Sequence, residues 1–585
     1  MDYLPTPKLL LMAICAACIA VLLIGCAAAA PAPPPVSATA TAAPAPAPSA
    51  TPAPRGGDLT IRLADDVPDL RPWQPRSRGE EQISGLLYRG LTRLDPDLRP
   101  QPDLATGWDA APDGRLITFT LRTDVTWHDG RPFSADDVVF TLQALRTISP
   151  TTALLSDLRR VAAVSAPTSS TVVLSLTERY APLFAELTLP ILPRHLLAGR
   201  DLATINFWDV AIGTGPFQVS RRLPGTSVQL APNRAFYGGA PLLDSLTFVV
   251  APDDAASAAA LRSGSMGLAE FSAAPETPPG GTQTGRYAEN GYYFLAFNMR
   301  DGRLFADTRL REALSLAIDR AAIVSEAAGA RGIAVGSSAA PGSWAARQGA
   351  ALRPDAVRAG QLLDESGWRA VGDAIRARDG ITLTARLAVR ADDLRRVRAA
   401  DAIARQVRAI GIELTVVPLD FETGIRPLYQ PPYDFDLLLG SWSNGVGDPA
   451  FADYAYYDPD DFALFHSSQV NQGVGDVRPV LNIVGMNDGV YDTAAVAARQ
   501  LYRFDDRLAA QTQAQQRVAA VRPYLFLWAD AIEVELSGRV AAAAGPIRLD
   551  TPMYLWNIQT WYVRPAAAGG GSTSAGSSAR PRSPS

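Results

Sequence analysis

All three cysteines of this 585-residue chain, Cys15, Cys18 and Cys26, lie in its first 26 residues. Everything after Cys26 must fold without a disulfide, a thiol nucleophile or a cysteine-ligated metal, so its stability has to come from buried apolar surface. The composition allows that: 47% hydrophobic and 19% charged residues describe a globular body. The length exceeds what one simple core holds, so two or more lobes are expected. The net charge of −5 is close to balance and gives no electrostatic footprint for nucleic acid.

The cysteines also mark the N-terminus. Lys8 precedes LLLMAICAACIAVLLIG, an apolar stretch of signal-peptide length that is barely long enough to span a bilayer. Leu23-Ile24-Gly25-Cys26 resembles a bacterial lipobox, which implies cleavage before Cys26 and a lipid on its sulfur. An uncleaved transmembrane anchor is the alternative. Residues 27–55 are Ala/Pro/Ser/Thr low complexity and read as a semi-rigid tether. Residues 564–585 read as a disordered tail.

Between these ends, strands and helices alternate irregularly, which predicts an α/β protein. DLTIRLA and LITFTLR alternate with period two and predict strands. SADDVVFTLQALRTI predicts a helix capped by Ser134. DTRLREALSLAIDRAAIVSEAAG predicts one amphipathic helix, capped by Asp307 or Thr308 and ending near Gly329. DLRRVRAADAIARQVRAIG predicts another, stopping at Gly411 before the strand IELTVVPL.

Enzyme signatures are missing. There is no G-x-S-x-G elbow, no P-loop and no G-x-G-x-x-G, and the acidic runs at 253–254 and 458–461 lack EF-hand spacing. Those runs read as solvated loops. His128, His195 and His466 are far apart and lack metal-ligand spacing. WHDG (127–130) reads as a strand-to-helix turn, and neither a metal nor a cofactor is expected.

Several stretches, in order, resemble the family 5 extracellular solute-binding proteins, the peptide/nickel-type receptors of ABC importers. They are PDLATGWDAAPDGRLITFTLRTDVTWHDGRPFSADDVVFTL (102–142), GTGPFQV (213–219) and YYFLAFNMRDGRLFADTRLREALSLAIDRAAIV (292–324). LLDESGW, ARQVRAIGIEL and YDFDLLLGSWSNGVGDP follow. The resemblance spans about residues 57–563. It implies a two-lobed α/β fold of the periplasmic-binding-protein type (class II), with an extra subdomain in the first lobe and a ligand cleft between lobes. The first lobe is expected over 56–292 and 521–563, and the second over 293–520.

It also implies a monomeric receptor on the extracytoplasmic face, bound to the membrane by its lipid. Such a receptor captures a small, peptide-like solute and hands it to permease subunits. Oligosaccharides, opine-like compounds or nickel chelates are the alternative ligands, and a sensory role on the same scaffold is the alternative function.

The candidate ligand loop is GSWSNGVGDP, residues 440–449. The resemblance implies that Trp442 presents a wall to the ligand, with hydrogen bonds from Asn444 and from the backbone around Ser443 and Gly445. Peptide-binding relatives carry an aspartate three residues after this tryptophan, paired with the peptide α-amine. Here that position is Gly445, and Asp448 lies further on in an Asp-Pro turn. Free-amine recognition therefore lacks its expected carboxylate. In YYFLAFN, alternation places Tyr292, Phe294 and Ala296 on one face and Tyr293, Leu295 and Phe297 on the other. Tyr292 and the polar strand end, Asn298, are further ligand candidates.

Overall fold

The computed structural model describes residues 56–148, 157–275, 280–346, 353–370, 375–443, 457–470 and 480–565. Residues 1–55, with Cys26, and residues 566–585 lie outside them. Strand β1 (Asp58–Leu63) buries Leu59, Ile61 and Leu63. Helix α1 (Arg78–Leu87) starts at Ser77, whose hydroxyl accepts from the Glu80 amide at 3.2 Å, while the Glu80 carboxylate reaches back to the Arg76 amide at 2.6 Å. This reciprocal cap satisfies amides that the first helical turn leaves free.

A separate antiparallel sheet follows, in the order Ala105–Ala110, Leu116–Leu121, Thr171–Leu176, Val161–Thr168. Helix α2 (Ala135–Thr147) packs on it and begins at Ser134 as expected, with the Ser134 amide donating to Asp137 at 3.0 Å.

Twelve further strands build one sheet, and three two-stranded pairs stand apart from it among the described residues. β1 pairs in parallel with Ser245–Val250 on one side and with β2 (Leu268–Phe271) on the other. β3 (Thr282–Ala288) and β4 (Gly291–Phe297) come next in the chain. The long helix expected after β4 is two helices, α3 (Thr308–Ala317) and α4 (Arg320–Ala327). Asp307 caps the first; Asp319 interrupts the run by accepting from the Ala322 amide at 3.0 Å, which starts a new helix. Helix α5 (Leu394–Arg408), capped by Asp393, leads through Gly411 (φ +85°) into the strand Glu413–Leu419 as expected. β5 (Leu437–Ser443) pairs with β4, and β6 (Tyr524–Ser537) closes the sheet.

The strand β6 ties the two halves of the molecule together. Its beginning pairs with β4 through Phe294↔Phe526 and Ala296↔Tyr524, and its end pairs with β3 and β2 through Ala288↔Ala531 and Phe271↔Glu533. One apolar core gathers Leu59, Phe119, Phe217, Phe248, Val534 and Trp561. Beyond β3, the alternation of β4 holds. Tyr293, Leu295 and Phe297 face a second core with Ile403 of α5, while Tyr292, Phe294 and Ala296 face a third with Trp442 and Phe465. Both faces of β4 are buried, so its near-continuous apolar run is what the position demands.

Candidate functional site

Helix α1 turns Ile83, Leu86 and Leu87 into the first core. Arg78, Glu81 and Gln82 on its first turn face a concave space instead. Arg78 pairs with Glu81 at 2.5 Å and Glu270 at 3.4 Å, and donates to the Pro552 carbonyl at 2.5 Å. Glu270, at the end of β2, accepts from the Tyr287 hydroxyl at 2.7 Å; Gln82 donates to the Tyr554 hydroxyl at 2.7 Å. The Arg78 guanidinium stands 5.4 Å from the Tyr287 ring and 5.8 Å from the Tyr554 ring.

Burial opposes the Arg78 charge, but Glu81, Tyr287 and Glu270 outweigh it and hold the guanidinium well above its ordinary range. Burial pushes the Glu81 carboxyl up against the pull of Arg78.

Glu289, between β3 and β4, belongs to the same field. Its side chain is exposed at the surface. The surrounding protein, then Asp530 and Glu270, push its carboxyl up to about 7, against the pull of Arg78 and Arg395. Two carboxylates, Glu81 and Glu270, pair with the Arg78 guanidinium. Burial, and then Glu81, hold the Tyr457 hydroxyl well above its ordinary range.

The second wall is built on the β4–β5 pairing, where Tyr292 lies opposite Trp442. Both border a cavity of about 40 Å³, together with Ser338, Tyr457 and Asp461. Trp442 is fully buried, 5.7 Å from the Phe294 ring and 5.6 Å from Tyr429. It is thus a member of the aromatic core with one edge on the cavity. The buried Tyr292 hydroxyl has no hydrogen-bond partner among the described residues.

The acidic run at 458–461 is not the solvated loop expected of it. Asp461 accepts from Ser338 and Tyr491, each at 2.6 Å, and burial pushes its carboxyl up to about 6. Asp460 pairs with Arg499 at 2.6 Å and Asp458 with Arg507 at 2.7 Å. Arginines far along the chain neutralise these acids, which local sequence cannot reveal. The other acidic run, at 253–254, caps a helix: Asp253 accepts from the Ala256 amide.

Asn298, expected at the ligand, lies within the core. It is fully buried, and its amide donates to the Tyr433 and Phe435 carbonyls at 2.9 and 2.8 Å. The chain before β5 needs those two donors, so the side chain has none left for the cleft. Ser443 is described only by its place in β5, and Asn444, Gly445 and Asp448 lie outside the described residues.

The histidines serve the scaffold. His128 Nδ1 accepts from the Gly213 amide at 3.1 Å and its Nε2–H donates to the Gly215 carbonyl at 3.1 Å, tying WHDG to GTGPF. Burial pushes this ring down to about 4, so it is neutral. No group of three metal-ligating side chains occurs among the described residues. The carboxylates and tyrosines around Arg78 were not anticipated. Glu270, Tyr287 and Tyr554 come from unrelated stretches, and only the Arg78/Glu81 spacing on one helix face offered a signal.

The model of the bacterial extracellular solute-binding proteins, family 5, matches residues 99–463. Protein XP55 of Streptomyces lividans is 31% identical over 480 residues, covering 79% of this chain and 84% of that protein. The oligopeptide-binding protein AppA of Bacillus subtilis is 24% identical over 528 residues, 87% of this chain and 92% of that protein. The structure of AppA with a nonapeptide aligns with a TM-score of 0.60 at 24% identity, over 88% of this chain and 100% of that one.

NikZ of Campylobacter jejuni, in complex with Ni(L-His), gives 0.61 at 24%, over 86% and 99%. HbpA2 of Haemophilus parasuis gives 0.70 at 19%, over 87% and 100%. At these identities the solved structures speak for the two-lobed fold alone. The family match does more: the chain belongs to the bacterial extracellular solute-binding proteins of family 5, ABC-transporter receptors that hold a solute and perform no chemistry on it.

Proposed function

We propose that this protein is a lipid-anchored receptor that captures a peptide or peptide-like solute between its lobes and delivers it to an ABC permease. The first lobe runs over about 56–292 and resumes within β6, and the second lies between. Packing of Tyr524–Trp528 with the second and third cores, and of Val534 and Leu536 with the first, supports reading the return, expected from about residue 521, as lying within β6. Relatives bearing oligopeptide-binding names and a nonapeptide complex support the peptide class.

One observation carries the reading of the site: Glu81 and Glu270 share the single Arg78 guanidinium beside the Tyr287 and Tyr554 rings, with the raised Glu289 carboxyl in the same electrostatic field. Stripping water from an ammonium is costly unless carboxylates replace it. These glutamates supply what Gly445 lacks, and Trp442 and Tyr292 supply the apolar wall.

A thermal-shift series with tetra-alanine and its N-acetyl form tests this, since a ligand of the folded state raises its melting temperature. The free peptide should raise it and the acetylated one should not. Replacing Glu289 by Gln should weaken free-peptide binding roughly ten-fold, the scale of one charged hydrogen bond. Equal shifts for both peptides would defeat amine recognition. The anchor is tested by membrane fractionation of Cys26→Ala, which should release the protein; retention at the membrane would mean an uncleaved helix.

A further inference from the structure

The concave space beside Arg78, Glu81 and Gln82 continues as a cavity of about 190 Å³ between α1 and the segment 552–559. Its charged groups are nearly all matched. Arg78 has Glu81, and Arg89 pairs with Asp103 at 2.7 Å, which also accepts from the Tyr237 hydroxyl. Arg93 is the exception. Its guanidinium lies 3.5 Å from the Trp556 ring centroid, its Nε is buried, and among the described residues it has neither an ion pair nor a hydrogen-bond partner for that atom. Burial first, and then Arg89, push the Arg93 guanidinium down, against the weaker pull of Asp103, Tyr237 and Asp95.

Tyr88 lines the same cavity. It is 2% exposed, its hydroxyl has no partner among the described residues, and burial keeps it protonated, hence a donor. Pro190, Pro216, Leu86 and Leu555 make the remaining wall apolar. A stacked, immobilised guanidinium and a neutral donor suit a carboxylate, which can take Arg in bidentate fashion. A single uncompensated positive charge balances one negative charge, so a dianionic phosphate would stay half-neutralised in a low-dielectric site.

We infer that this cavity is a binding subsite for a small organic monocarboxylate with an apolar body, held by Arg93 and Tyr88. The subsite rests on the proposed receptor reading and deepens it, because Arg78, Glu81 and Gln82 of the candidate amine site line the same cavity.

The test is calorimetric titration of the purified full-length protein with 3-phenylpropionate and with its neutral amide, 3-phenylpropionamide. The carboxylate should bind and the amide should bind at least ten-fold more weakly. Arg93→Gln should lose about ten-fold in carboxylate affinity and leave the amide unchanged. Tyr88→Phe, which deletes only an oxygen, should lose several-fold and keeps the test decisive should the arginine variant misfold. Equal binding of acid and amide, no binding of either, or wild-type affinity in both variants would overturn the proposal.

A peptide with free and amidated C-termini separates the sources of the carboxylate. Amidation sensitivity that disappears in Arg93→Gln assigns the acid to the transported solute, and insensitivity assigns it to a separate molecule. Neither variant touches Glu81, Glu270 or Glu289, so failure here leaves the amine-recognition test standing, and the converse.

Discussion

Asn298 and Glu81 both look like polar residues at the end of a structural element, yet they do opposite work. Asn298 spends its amide on two carbonyls in a region with no water to replace it. Asn298→Ala strands both carbonyls, and at about 1–3 kcal/mol for each unsatisfied group the fold should lose about 2–6 kcal/mol. Urea denaturation measures that loss, and solute affinity of the folded variant should stay as in wild type. Loss of affinity with unchanged stability would return Asn298 to the ligand. Glu81, in contrast, shares Arg78 with Glu270 on a surface that a solute can reach. Nothing in the immediate sequence of either residue separates the two roles; what separates them is which backbone groups lie opposite.

At the scale of elements, α1 is the part on which the site depends, and GTGPF holds it in place. A Cβ on Gly213 would stand 1.8 Å from the Leu87 carbonyl oxygen, and one on Gly215 2.2 Å from that of Leu86. The Gly215 amide donates to Leu87 at 2.9 Å, and His128 grips the turn from the other side. Gly213→Ala must therefore push the end of α1 outward. It should cost about 1–3 kcal/mol, the usual penalty of overpacking, and weaken solute binding because Arg78 and Glu81 move with the helix. Thermal denaturation and a binding titration on the same variant check both effects; an unchanged melting temperature would mean the turn is not load-sharing with α1. Ser134 and Asp307 as caps, and the two faces of β4, were legible beforehand because those rules act over three or four residues. The break at Asp319 was missed because a capping aspartate inside an apolar repeat looks, along the sequence, like one polar position of an amphipathic helix.

Across the whole molecule, the two halves touch directly. The Ala181 amide donates to the Arg499 carbonyl at 2.6 Å, the Trp344 amide to the Asp97 carbonyl at 2.8 Å, and Phe184 meets Tyr502 edge-on at 5.6 Å. At this seam Glu186 is fully buried and faces Asp157, Tyr180 and, from the other half, Asp458. Burial first, and then Asp157, push its carboxyl well above the usual range, so the folded protein keeps a proton there that the unfolded chain gives up. Stability from this site is therefore full below about pH 4.5 and declines as pH rises above it. Glu186→Gln, which has no proton to lose, should raise the melting temperature at pH 7–8, with the gain shrinking towards pH 4. Destabilisation at every pH would show that the buried acid stabilises the seam and is not tolerated as a cost.

By itself the sequence determined the class of the protein, its alternating elements, most helix starts and the residues of β4 that face each core. These follow from short-range rules: period-two burial, capping geometry and the absence of cysteine after Cys26. Which polar groups meet was decided only by tertiary structure. Arg78, Glu270, Tyr287 and Tyr554 are brought together by β2, β3 and the 552–559 segment converging on one helix end. Asp458 and Asp460 find arginines some forty to fifty residues away. Pairing of charges is a long-range property because burial makes an unmatched charge expensive wherever its partner lies in the chain. For the same reason an arginine left unmatched in a cavity, such as Arg93, becomes visible only after every other charge has been placed.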